Sequence, residues 1–209
     1  MSKPAPIRVL GVAGSLREAS FNRRLVRLAA TLLPADVEFV PFHDIAAVEP
    51  FDEDVEAEGT PPGAAAWKDA LQSVDAVFIS TPEYNGSVPG ALKNAFDWAS
   101  RADVAPYNDI QRSPMYGIPT AVASASSGQF GGVWARDEFM KSLRTQGARA
   151  VDEPKVTIPS SHSAFGPDET LTNTALSGRL VELLDNLVAQ ARLVRAARDR
   201  SLAAAATSD

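Results

Sequence analysis

Three short stretches hold the residues of this chain whose types and spacing could do chemistry: residues 14–22 (GSLREASFN), 81–90 (TPEYNGSVPG) and 124–132 (SASSGQFGG). The first offers the hydroxyls of Ser15 and Ser20, the amide of Asn22 and the guanidinium of Arg17 just before a helical pattern begins. Donors of this kind, with the free N–H groups and positive dipole end of a helix start, suit a phosphate. The same residues also read as a plain helix entry, with Ser20 as cap and Arg17 as a solvated charge. The spacing matches neither the P-loop nor the dinucleotide fingerprint. In the second stretch Tyr84 could lie against a flat ring, and the Asn85 amide could meet ring heteroatoms. Gly86 would let the backbone come close. Against this stands an ordinary Asn-Gly turn with Tyr84 covering a strand end. In the third, Gly128, Gly131 and Gly132 free the backbone for close contact, or simply make a flexible connection.

These stretches matter because of the elements that would hold them. Apolar, β-branched runs at 7–13, 37–42, 76–80 and 118–125, with a shorter one at 155–158, read as buried strands. Between them, apolar residues recur at helical spacing: Phe21 to Leu33, Trp67 to Leu71, Leu92 to Ala99, and 133–145. Leu176 to Val194 carries a long final helix. Strand and helix alternate throughout, which predicts an α/β fold: a flavodoxin-like, doubly wound, five-stranded parallel sheet with helices on both faces. Ligands of such sheets sit outside the carboxyl ends of the strands, at the switch point. The three polar stretches fall there, whereas the connections at the opposite ends are acidic or Pro-rich. Residues 50–63 and 101–115 read as exposed loops.

Composition narrows the classes. The formal net charge of −6 argues against a nucleic-acid binder and a polybasic membrane contact. No stretch approaches the roughly 20 apolar residues of a membrane span. Cys is absent, which removes disulfides, thiolate metal sites and a cysteine nucleophile, and fits the cytoplasm. The N-terminus has no apolar signal core. His43 and His162 lie outside the three stretches and read as surface or structural residues. The acidic runs 52–54 and 168–169 read as solvated charge, and no metal site is expected. Hydrolase and zinc-protease motifs are missing. One domain over 1–209 is expected, with disordered tails at 1–6 and about 201–209.

The three stretches together, above all TPEYNGSVPGALKNAFDW beside GSLREASFN and SSGQFGG, resemble the NADPH-dependent FMN reductase family over roughly residues 7–150, in the same order. The resemblance implies a dimeric or tetrameric, FMN-dependent NAD(P)H oxidoreductase. In such an enzyme bound FMN passes electrons from NADPH or NADH to a quinone-like, azo, metal-oxyanion or free-flavin acceptor. The chemistry is the flavin's, so no catalytic side chain is implied. Residue by residue, the resemblance assigns the FMN phosphate to Ser15, Arg17, Ser20 and Asn22. It places Pro82, Glu83, Tyr84, Asn85 and Gly86 around the ribityl chain and ring, and Ser124, Ser127 and Gly128 near the other flavin edge. It gives segment 159–169 (PSSHSAFGPDE) no role. The loop 101–115 with the helix from Leu92 is the expected interface, through Trp98 and Tyr107. Arg101 and Arg112 are candidates for a nicotinamide 2′-phosphate. The rival reading is an FMN-binding electron carrier that docks a redox partner and lacks reductase activity.

Overall fold

Strand β1 (Ile7–Ala13) shows why the sheet is buried on both sides. Along it Val9 faces one apolar layer while Leu10 and Val12 face the other, and in β3 (Ala76–Thr81) Ala76 and Phe78 alternate in the same way with Val77 and Ile79. A strand with side chains of period two and apolar residues on both faces has to be covered on both. The computed structural model describes residues 5–206 and supplies the cover. On one face lie α1 (Phe21–Leu32), through Leu25, Leu28 and Ala29, and α6 (Thr174–Ala206), through Leu180, Leu183, Leu184 and Leu187. On the other lie α3 (Pro62–Gln72), α4 (Gly90–Ala99) and α5 (Val133–Thr145), through Trp67, Phe96 and Phe139. With β2 (Val37–Phe42), β4 (Pro119–Ala125) and β5 (Arg149–Ile158), the strands form one parallel sheet in the order β2-β1-β3-β4-β5. This is the doubly wound, flavodoxin-like arrangement expected from the sequence. The chain leaves β1 for β2 on one side, and β3 leads to β4 on the other. The crevice at the carboxyl ends of β1 and β3 is therefore the switch point.

Several elements differ from the sequence expectation. The acidic stretch 50–63 holds a short helix, α2 (Glu53–Glu58), whose Glu56 is buried and doubly hydrogen-bonded by Arg101. A carboxylate paired with a guanidinium escapes the desolvation that would otherwise keep it in water. The loop 101–115 is anchored too: Ala102 and Met115 are buried, and Ile110–Arg112 is a 3-10 turn. Trp98, expected at an interface, is fully buried and donates its indole N–H to the Glu49 carbonyl at 2.8 Å. Strand β5 begins six residues before the apolar run that signalled it. It is an edge strand, so it accommodates Pro154 and a register irregularity opposite Ala121 and Ala123. Helix α6 runs on through Ser201 to Ala206, and Arg195 holds the carbonyls of Ala5 and Pro6 at 2.7 Å. The remainder of the expected tails, 1–4 and 207–209, lies outside the described residues.

Candidate functional site

At the switch point the loops after β1, β3, β4 and β5 enclose a cleft of about 400 Å³. That size lies within the ~300–1,000 Å³ of small-molecule pockets. A more apolar cleft of about 340 Å³ lies between α1 and β2, over Val26, Phe39 and Phe42, with His43 at its edge. It does not gather the three polar stretches; the switch-point cleft does.

The first loop supplies an anion cradle whose donors are mostly unspent. Ser20 caps α1, its hydroxyl accepting from the Asn22 N–H at 3.1 Å. Ser15 is buried, and its hydroxyl makes only long contacts, 3.5 Å to the Tyr84 hydroxyl and 3.4 Å to the Arg17 N–H. Arg17 is exposed, lies 5.7 Å from the Phe21 ring centroid and has no ion pair among the described residues. The first turn of α1 contains no acid, so nothing there neutralises its dipole. The cap reading of Ser20 is what the structure shows, and the acid-free helix start faces the cleft beyond it.

Asn22 does something else. Its side-chain oxygen accepts from the Ser80 hydroxyl at 2.8 Å and the Ala125 N–H at 3.0 Å, while its amide donates to the Ala125 carbonyl at 2.9 Å. Both lone pairs are used. The residue therefore ties α1 to the ends of β3 and β4 while it lines the cleft.

The second loop is a two-residue hairpin. Tyr84 and Ser87 exchange backbone hydrogen bonds at 3.0 and 3.1 Å, with Asn85 at φ 54° and Gly86 at φ 75° between them. Positive φ at both central positions defines a type I′ turn, for which Asn-Gly is the favoured pair. A Cβ on Gly86 would meet nothing within 4 Å, so the backbone and not crowding by the protein demands glycine. The turn holds Tyr84 on the rim, 51% exposed, above buried Pro82. Glu83 turns away: its carboxylate accepts from the N–H groups of Trp134 and Ala135 at 3.1 and 3.2 Å, capping α5 from another loop.

The third loop divides in two. Ser127 and Gly128 are exposed at the rim. Ser124 is fully buried, and its hydroxyl donates to the Gly131 carbonyl at 2.7 Å. A Cβ on Gly131 would sit within 2.9 Å of the Ile158–Pro159 backbone, so only glycine lets this loop lie against the chain leaving β5. Ser124, like Asn22 and Glu83, thus serves the shape of the cleft. At its edge the rings of Phe130 and Trp134 meet edge to face at 5.0 Å, both about half exposed.

The structure adds a fourth wall. Residues 159–163 leave β5 and hydrogen-bond to the third loop, Ser160 N–H to the Gly128 carbonyl and Ser161 N–H to the Ser126 carbonyl, each 3.1 Å. Ser161 lines the cleft. The signal was present in the sequence: a Ser-Ser-His-Ser run begins two residues beyond a strand's carboxyl end, beside β4. The perturbed carboxylates Glu49, Asp152 and Asp168 do not line the cleft. Arg101, a candidate for a 2′-phosphate, is occupied by Glu56, which with Glu53 holds its pKa above the usual value. Arg112 belongs to the 3-10 turn of the same loop, away from the cleft.

Comparison with known proteins agrees with this geometry. The NADPH-dependent FMN reductase family profile matches residues 7–163. An NAD(P)H-dependent FMN reductase of Pseudomonas aeruginosa is 36% identical over 159 residues, 76% of this chain and 81% of that protein. A quinone reductase of Pseudomonas putida is 35% identical over 185 residues, covering 88% of this chain and 95% of its own. The solved structure of a flavoenzyme NAD(P)H:(acceptor) oxidoreductase from Paracoccus denitrificans superposes with a TM-score of 0.77 at 30% identity. That match covers 89% of this chain and 97% of the other.

Proposed function

The chain belongs to the NADPH-dependent FMN reductase family, and from that premise we propose how its cleft works as an FMN-dependent NAD(P)H oxidoreductase. The observation that carries the reading is the set of uncommitted donors at one end of the cleft. Ser15, Ser20 and Arg17 stand in front of an acid-free helix start, and Arg17 has no carboxylate partner among the described residues. That donor set fits a phosphate dianion. Bound FMN supplies the redox chemistry, taking electrons from a nicotinamide and releasing them to an acceptor. Arg17, Ser15 and the start of α1 hold the phosphate. The residues of the type I′ turn, Tyr84, Asn85 and Gly86, would hold the flavin ring, with Tyr84 offering a flat surface that bears a polar tip. Asn22, Glu83 and Ser124 fix the loops relative to one another, so that the cleft is formed before a ligand enters.

The acceptor is a quinone or a similar small, flat molecule, entering past Tyr84, Phe130 and Trp134. The functional unit is a homo-oligomer in which a second copy packs against part of that exposed rim and leaves the entry open beside it. Purified protein should show visible flavin absorption and oxidise NADPH or NADH in steady state when a benzoquinone is supplied. Flavin absorption without nicotinamide oxidation would favour the electron carrier, and a protein that takes up no FMN would remove the reading altogether.

A further inference from the structure

Two buried side-chain atoms have no hydrogen-bond partner among the described residues, the Gln146 side-chain oxygen and the Ser161 hydroxyl. Gln146 follows α5, at the end of that helix remote from the cleft. Ser161 lies in the cleft wall, with Ser15, Arg17 and Ser20 in the same lining. An unpaired buried hydroxyl forfeits its hydration with no return. The turn carries a second unfavourable feature beside it: Ser160 has φ 46°, a left-handed conformation that disfavours a residue with a Cβ.

The turn is nevertheless fixed in place. Its backbone bonds to Ser126 and Gly128 on one side. On the other, Phe165 stacks on Phe21 at the first position of α1, with centroids 6.3 Å apart and planes within 9°. Arg24 lies 4.6 Å over the Phe165 ring and pairs with Glu169 at 2.9 Å. The segment is thus clamped to the start of the same helix whose dipole faces the cleft. A lone hydroxyl, held at a conformational cost beside an anion cradle, indicates a ligand atom that completes it.

We propose that Ser161 is a further ligand of the flavin phosphate, its hydroxyl donating to a phosphate oxygen alongside Ser15, Arg17 and Ser20. This rests on the FMN reading of the cleft. Ser161 is fully buried yet lines the cleft, so its hydroxyl meets a phosphate oxygen only when the third loop, where Ser126 is half-buried and Ser127 exposed, shifts on binding. The phosphate, and not the ring, is the target because Ser161 shares its wall with the anion donors and its segment is stapled to α1.

The test is Ser161→Ala, with FMN and riboflavin affinities measured on flavin-free protein by fluorescence quenching. FMN affinity should fall by about tenfold or more, the scale of a lost hydrogen bond to a charged group. Riboflavin, which lacks the phosphate, should bind as it does to the parent. The melting temperature of the flavin-free variant should be unchanged or higher, because alanine removes a buried group that had no partner. Parental FMN affinity in the variant, or an equal loss for both flavins, overturns the assignment. So does a lower flavin-free melting temperature, which would mark a structural hydroxyl. Parent protein that binds neither flavin would instead defeat the FMN reading itself.

Discussion

Arg17 is the clearest single residue to test. It is exposed, and among the described residues its side chain meets the Phe21 ring alone, so replacing it should leave folding almost untouched. A charge-assisted hydrogen bond is worth roughly 1.5–3 kcal/mol. Arg17→Ala should therefore weaken FMN binding by about ten- to a hundredfold in a fluorescence titration, at an unchanged melting temperature. Asn85 needs a different substitution. It sits at φ 54°, so alanine would strain the turn as well as delete the amide and would confuse the two effects. Asn85→Gly permits the backbone and removes only the side chain. It should fold with near-parental stability, yet bind FMN more weakly or shift the flavin potential; unchanged flavin behaviour would return Asn85 to turn-making alone. The residues legible in the sequence were those whose role depends on type and local position, such as Ser20 before a helix or Asn85-Gly86 in a turn. Asn22, Glu83 and Ser124 were legible as polar residues in the right loops, but not in their roles. Asn22 works through Ala125, 103 positions away, and Glu83 through α5, and no local pattern records such partners.

Among elements, the strands and long helices were legible because burial on both faces writes itself as apolar runs and helical spacing. Helix α2 was not, since its one inward residue is a charged one. Glu56 is 1% exposed, and its buried charge makes sense only with Arg101, 45 positions away. Breaking a buried pair from one side leaves the other charge stranded, at a cost of about 3–5 kcal/mol. Arg101→Ala should lower stability by about 3 kcal/mol in denaturant unfolding, less whatever water entry relieves, because Arg101 itself is partly exposed. The same variant should keep the parental ratio of NADPH to NADH efficiency. A selective loss for NADPH would restore Arg101 to a 2′-phosphate role. The β5 edge misled in another way. Its Asp152-Glu153-Pro154 sequence precedes the apolar run that marks the strand, yet Asp152 receives Arg136, a fully buried residue of α5, together with Arg144.

For the molecule as a whole, that pair sets a pH dependence. Burial alone would raise the Asp152 pKa, but hydrogen bonds from Arg144 and Arg136, and their charge, outweigh it and hold the carboxyl below its usual range. Glu49 is lowered as well: burial opposes this, and the N–H groups of Glu49, Gly63 and Ala64 override it. A carboxylate lowered in the folded state contributes stability above its unfolded pKa, near 4, and loses that contribution as pH falls through the folded value. Asp152→Asn should then be less stable than the parent at neutral pH, with the gap closing below about pH 4 in thermal melts. A gap constant with pH would show that the carboxylate is not the source.

The proposed assembly rests on where exposed apolar side chains gather. Four of the large ones, Leu16, Tyr84 and Phe130 on the loops after β1, β3 and β4 and Trp134 in the first turn of α5, are each about half exposed. Phe130 and Trp134 touch, and the others are linked through sequence neighbours: the Ser15 hydroxyl meets the Tyr84 hydroxyl, and the Glu83 carboxylate accepts from the Trp134 N–H. Trp98 cannot serve the interface expected of it, because it is packed against Phe51 in the core, with ring centroids 5.0 Å apart. An aromatic rim of this kind is better suited to a second copy than to water, since Trp and Tyr dominate interface energetics when a partner desolvates them. Light scattering at micromolar concentration should give at least twice the 22.2 kDa chain mass. Trp134→Ala removes a ring that contributes nothing to the core, so the monomer should keep its melting temperature. Loss of about 2 kcal/mol of interface energy would weaken association roughly thirtyfold, moving the oligomer-to-monomer transition to higher concentration. A parent protein that stays monomeric throughout that range would leave the rim aromatics to the acceptor alone.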